Sequence, residues 1–189
     1  MSGNMVLLTG KTLEDYCSAF LTGIDKRRDF VSAILEYISS PESNRRVLAI
    51  SGLKGTGKTT GVFQAIQNIS NYNNTLLISV EDDVDISVLK EVIIKNLTWV
   101  GYIFVDEVTR VKGLISGSAF LADTACGCGK KVVISGTDSL ALVGADNASL
   151  YHGVITKNVT YISFEEAKRT TNQSLKEYIE LGGYIRLMQ

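Results

Sequence analysis

Short, continuously apolar runs alternate along this chain with longer stretches whose apolar residues recur at every third or fourth position. Val47-Leu48-Ala49-Ile50, Thr75 to Val80, Tyr102 to Val105, Lys131 to Ile134 and Val159 to Ile162 read as strands of the buried type. Between them, Lys58 to Ile69, Asp85 to Leu97 and Gly113 to about Thr124 read as helices, with Ile86, Leu89 and Ile93 on one face of the second. Ahead of the first strand, Phe30, Ile34 and Ile38 mark an amphipathic helix within Asp29 to Ser40, and an earlier helix is expected from Thr12 to about Leu21. The polar stretch from Ser39 to Asn44, which holds the single proline, Pro41, separates helix from strand.

Strands apolar on both sides belong in a sheet covered on both faces, and strand–helix alternation joins them in parallel. The pattern predicts an α/β fold of three layers, αβα, with a five-stranded parallel sheet. Right-handed crossovers then place a ligand site at the carboxyl ends of the strands. A length of 189 residues suits one such domain.

The chemistry falls at those strand ends. Gly52-Leu53-Lys54-Gly55-Thr56-Gly57-Lys58-Thr59 fits the phosphate-loop pattern G-x-x-x-x-G-K-S/T, preceded by a strand and followed by a helix. Its glycines let the backbone wrap an anion, with amides from about Lys54 to Thr59 turned inward and the helix N-terminus adding its positive end. Lys58 is expected to reach the β- and γ-phosphates and Thr59 to ligate magnesium. Thr60, the last of the cradle residues, is assigned to the helix start. The third strand runs into Asp106-Glu107, two adjacent carboxylates that need a compensating cation. Asp106 suits the metal, and strand alternation turns Glu107 the other way, toward an attacking water. Beyond the fourth strand, Ser135 is the candidate for sensing the γ-phosphate or holding the water, with Thr137 second.

Composition narrows the partners. The chain is 45% apolar and 21% charged with net charge −1, the profile of an ordinary globular protein without a broad basic face. Lys26-Arg27-Arg28, Arg45-Arg46 and Lys130-Lys131 are therefore read as solvated surface rather than a nucleic-acid footprint. Cys17, Cys126 and Cys128, with His152 the lone histidine, lack the spacing of a zinc site or a disulfide framework. No apolar run approaches a membrane span and no signal-peptide order opens the chain, so no membrane partner is expected and a cytoplasmic location is.

Taken together, these segments resemble the prokaryotic AAA-superfamily ATPases of the archaeal-ATPase type, relatives of the STAND signalling NTPases. The likeness rests on the Gly52 to Thr59 loop and the acidic pair Glu81-Asp82 after the second strand. It extends to Asp106-Glu107-Val108-Thr109-Arg110, Ser135-Gly136-Thr137-Asp138-Ser139, Tyr161-Ile162-Ser163-Phe164-Glu165-Glu166 and the Gly182-Gly183 segment, and spans roughly Asp29 to Tyr184. The resemblance implies a P-loop NTPase sheet in the order 5-1-4-3-2, Glu107 as catalytic glutamate, and adenine held near Arg28 to Phe30. It also implies a helical lead-in over 1–45, a nucleotide-binding core over 46–165, and a helical tail over 166–189 opening a C-terminal region that is absent. Relatives carry an arginine shortly before the fifth strand; Leu150 to Val154 has none, leaving Lys157 or Arg110 as substitutes.

The leading expectation is an ATPase using ATP and Mg2+, with Glu107, Lys58 and Ser135 as its catalytic groups. The alternative is an ATP- or ADP-gated switch of little turnover, presenting its bound state to a protein partner or a second copy. A small-molecule kinase is disfavoured because only Arg169 and Arg186 follow Ile134, and a DNA-linked motor rests on family analogy alone.

Overall fold

The computed structural model describes residues 4–24, 26–41, 47–114, 120–137 and 154–181. The chain begins with strand β1 (Met5–Leu8), helix α1 (Gly10–Phe20) and helix α2 (Val31–Ser39). Strand β2 (Val47–Ser51), helix α3 (Lys58–Ile69) and strand β3 (Thr75–Val80) follow. Next come β4 (Val84–Asp85), α4 (Ile86–Asn96), β5 (Tyr102–Asp106), β6 (Val111–Lys112) and a π-helical turn, Leu121–Cys126. Strands β7 (Lys131–Gly136) and β8 (Val154–Asn158), then helices α5 (Phe164–Thr171) and α6 (Leu175–Leu181), complete the described elements.

The main sheet has six strands in the order β1-β3-β5-β7-β2-β8. All neighbours run parallel except β1, which pairs antiparallel with β3 from Met5↔Val80 to Leu8↔Leu77. The five parallel strands thus follow the expected order, and the difference is an extra edge strand that caps β3. Asn4 continues this edge, its carbonyl accepting from the Glu81 and Asp82 amides at 3.0 and 3.3 Å. Met5-Val6-Leu7-Leu8 is apolar, but four residues at the head of the expected helical lead-in are too few to show a strand period.

Strand alternation sorts the core into two layers. On one face, Val47, Ala49, Ile78, Ile103, Val105, Val132 and Ile134 pack with Leu89 and Ile93 of α4. On the other, Leu48, Ile50, Leu77, Phe104 and Val133 pack with Leu13, Cys17, Ile34, Val62 and Ile66 of α1, α2 and α3. Both faces of the central strands are buried, as their uninterrupted apolar sequences require. Tyr37 ties α2 to the sheet, its hydroxyl donating to the Val132 carbonyl and accepting from the Val132 amide, each at 3.0 Å.

Two further expectations need correction. The fifth parallel strand is Val154–Asn158, paired with β2 from Val47↔Val154 to Ser51↔Asn158, and Val159 to Ile162 lies beyond it. As an exposed edge, β8 can carry the polar Thr156-Lys157-Asn158, whereas Val159 and Ile162, in the loop beyond it, are buried. The basic clusters are not wholly solvated surface either: Arg28 and Lys131 are buried, and the Lys131 ammonium donates to the Ser40 carbonyl at 2.5 Å and lies over the Tyr37 ring. Part of the helix expected over Gly113 to Thr124, and the arginine-less stretch Leu150 to Gly153, lie outside the described residues.

Candidate functional site

Parallel pairing brings the carboxyl ends of β2, β5 and β7 side by side, with β7 in the middle. The glycine-rich loop, Asp106-Glu107 and Ser135-Gly136-Thr137 are therefore neighbours in space, although they lie far apart in sequence. The loop leaves β2 through Gly52, where a Cβ would stand 2.1 Å from the Val159 carbonyl oxygen, so only glycine fits. It re-enters α3 through Gly57, in the left-handed region at φ 82°, with Lys58 the first helical residue. Thr56 steadies the turn by donating from Oγ1 to the Leu53 carbonyl at 2.8 Å, and Leu53 and Lys54 point outward, exposed. Gly55 is half-buried, and Thr60 lies half-buried in the first turn of α3.

The Lys58 side chain folds back across the loop, and its ammonium donates to the Gly52 and Leu53 carbonyls at 2.8 and 2.9 Å. Burial lowers its pKa from the ordinary value, while the Glu107 and Asp106 charges oppose that shift. The buried ammonium is thus bonded to neutral carbonyls of the loop and lies within the electrostatic reach of Glu107 and Asp106. Thr59 donates from Oγ1 to Asp106 Oδ2 at 2.9 Å, and Ser135 donates from Oγ to Asp106 Oδ1. Asp106 is only 4% exposed. Burial pushes its pKa above the ordinary 3.8, against the pull of the two hydroxyls, and Glu107 adds to the rise.

These contacts revise two details. Ser135, expected to sense the γ-phosphate or hold the water, donates here to Asp106. Thr137 is the residue at Glu107: its hydroxyl lies 3.2 and 3.0 Å from the two carboxylate oxygens. Nor is Glu107 turned by strand alternation. The strand ends at Asp106, and Glu107 takes a left-handed conformation at φ 56° before the 3-10 turn Val108–Arg110. Such a conformation in a non-glycine residue costs on the order of 1 kcal/mol or more and clusters at functional sites.

Of the two residues that could stand in for the missing arginine, Arg110 and Lys157, the first is engaged elsewhere. Arg110 donates from Nη1 to the Glu81 carbonyl. Arg169, outside that pair of candidates, is bound to Asp29. Lys157 stands on β8 at a cavity of about 290 Å3, lined also by Arg28, Phe30, Asn158, Tyr161 and Glu166. This cavity borders the region where the base is expected. Two polar contacts carried no sequence signal: buried Ser51 donates from its hydroxyl to exposed Asn158, and Arg28 and Glu166, both buried, pair at 2.7 Å. Their partners are more than a hundred residues apart, 107 for Ser51 and 138 for Arg28.

Among the described residues, no group of three or more His, Cys, Asp or Glu side chains could hold a metal, and no helix is long and apolar enough to cross a membrane. Cys17 is free and buried, and Cys128 is free and exposed.

Comparison with known proteins bears on the fold and the family. The structure of C. elegans PCH-2 is similar, with a TM-score of 0.52 at 14% identity, over 96% of this chain and 56% of that one. This chain thus spans little more than half of that protein, and the likeness concerns the fold. No curated protein matches. Residues 44–180 match the family model of the AAA domain, from before β2 into α6. With that match covering most of its length and a P-loop nucleotide-binding fold beneath it, the chain belongs to the AAA domain family.

Proposed function

We propose that the chain binds ATP with magnesium in the Gly52–Thr60 cradle and hydrolyses the γ-phosphate, acting as one nucleotide-binding domain. The observation that carries this reading is the chain of contacts Thr59–Asp106–Ser135, with Glu107 next in sequence and Lys58 beside it. A hydroxyl and a carboxylate bonded to each other form the hard-oxygen donor pair that magnesium takes beside phosphate. A carboxylate this buried, whose pKa burial raises, fits that role. Thr59 and Asp106 would hold the ion, and bound magnesium would neutralise charge on the β- and γ-phosphate oxygens.

The residues divide the remaining work. The Lys58 ammonium exchanges two neutral carbonyls for the β- and γ-phosphates, a stronger charge-assisted contact. Loop amides hold the α- and β-phosphates. Glu107 accepts a proton as water oxygen attacks the γ-phosphorus and the bond to the β–γ bridging oxygen breaks, leaving ADP and inorganic phosphate. Ser135 orients Asp106, and Thr137 orients Glu107.

A switch of low turnover is the second reading. It is favoured by Arg110 being taken up at Glu81 and by Glu107 being held against Thr137. Phosphate release separates the two. Under the ATPase reading, Glu107→Gln lowers turnover at least a hundredfold while ATP still binds. Equal inertness of wild type and variant, with ATP bound by both, would establish the switch. Lys58→Ala is expected to weaken ATP binding at least tenfold, and unchanged affinity would refute the whole nucleotide reading.

A further inference from the structure

Arg28 and Glu166 form the one ion pair among the described residues in which both side chains are buried, and they lie behind the phosphate loop rather than in it. Arg28 precedes α2, Glu166 sits in the first turn of α5, and between them they reach the loop at Thr56 and α3 at Gln64. The guanidinium Nε donates to Glu166 Oε1 at 2.7 Å, Nη2 to Oε2 at 3.4 Å, and Nη1 to the carbonyl of Thr56. The Arg28 amide donates to Gln64 Oε1 on α3 at 3.1 Å. Glu166 Oε1 also accepts from the Asp29 amide at 2.8 Å, and its own amide is capped by Ser163 at 3.1 Å. The Phe30 ring packs against the guanidinium, 5.3 Å away.

We propose that Arg28, clamped by Glu166, is a positioning residue that sets the shape of the phosphate loop and transmits nucleotide occupancy to α5. This rests on the nucleotide reading above and names how that site is regulated. A trans peptide is planar, so its C=O and N–H point opposite ways. Drawing the Thr56 carbonyl toward Arg28 turns the Gly57 N–H to the other side, so the direction of one loop amide is set by a residue outside the motif. Arginine suits this task because its planar fork satisfies a carboxylate and a carbonyl together, whereas lysine offers a single point of charge. Movement of the Thr56 peptide as phosphate enters is felt at Glu166, and so at the N-terminal turn of α5.

The test compares Arg28→Lys, Glu166→Gln and the paired replacement Arg28→Met with Glu166→Met. Thermal unfolding without nucleotide and ATP affinity by calorimetry are measured on each. Replacing both members of a buried pair by apolar residues restores stability that loss of one member removes. A merely structural pair therefore predicts that the double variant regains both stability and affinity. The proposed strut predicts regained stability with ATP affinity still at least tenfold below wild type, because nothing then holds the Thr56 carbonyl. Arg28→Lys should show the same tenfold loss while folded.

Hydrogen exchange reads the second half of the claim. ATP is expected to slow exchange of the amides of residues 164–171 in wild type and to leave them unchanged in Glu166→Gln. Wild-type affinity in the folded double variant overturns the proposal, as does a wild type that binds ATP without altering α5. A wild type that binds no ATP refutes the nucleotide reading itself, and the two failures are thus distinct.

Discussion

Asp106 carries the conflict on which the site is built, a carboxylate nearly out of water and bonded by the Thr59 and Ser135 hydroxyls and the Glu107 backbone. Its folded pKa lies above the ordinary 3.8. Below that ordinary value it is protonated in both folded and unfolded chains, and its contribution to stability is fully present. As pH rises through the raised folded value, the native state must ionise a buried group and that contribution is lost. Asp106→Asn escapes the loss. Without nucleotide, it is expected to melt close to wild type near pH 4 and to be more stable by roughly 1 kcal/mol at pH 8, the usual scale of a relieved active-site compromise. A melting series across that range checks it, and a difference that shrinks with rising pH would refute the account. Much at this scale was legible beforehand, since the loop motif and the acidic pair announce their chemistry by residue type. The hydroxyl partners were not: Ser135 and Thr137 are interchangeable on paper, and only their places on β7 and just past it direct one to Asp106 and the other to Glu107.

Among the elements, β2, α3, β3 and β5 are legible from period and length alone, because both their faces are buried or one face is strictly apolar. Strand β8 was misplaced by several residues for the opposite reason. It is an edge with a polar second half, and the apolar Val159 that follows belongs to a loop covering Gly52. Helix α5 shows how local chemistry decides a boundary that hydrophobicity does not. Ser163 accepts the Glu166 amide, Glu165 and Glu166 occupy the first turn, and Lys168 and Arg169 the last. Ser163→Ala is expected to cost about 1 kcal/mol. The loss should appear as a lower denaturation midpoint in urea with an unchanged slope. Should the midpoint hold, the cap contributes nothing and α5 is fixed by its other contacts.

For the whole molecule, the two apolar layers on either face of the sheet form the cooperative unit, and Cys17 reports on it from within. Its thiol is fully buried, and burial alone pushes its pKa up to about 12. Exposed Cys128 is the internal reference. A thiol reagent at pH 8 is expected to label Cys128 at once and Cys17 only at the rate of global opening, read by mass spectrometry of the separated peptides. ATP, by binding the native state, should slow Cys17 labelling further. Prompt labelling of Cys17 in native protein would mean that α1 opens independently of the sheet.

Residue order by itself determined the class of fold, the phosphate loop and the acidic strand end, because periodicity and motif spacing are local and survive without knowledge of neighbours. Tertiary structure alone decided the antiparallel edge at β1, the true last strand, the division of labour between Ser135 and Thr137, and the Arg28–Glu166 pair. Each of these depends on which distant segments meet, and that is set by parallel register and by the need of every buried charge and carbonyl for a partner.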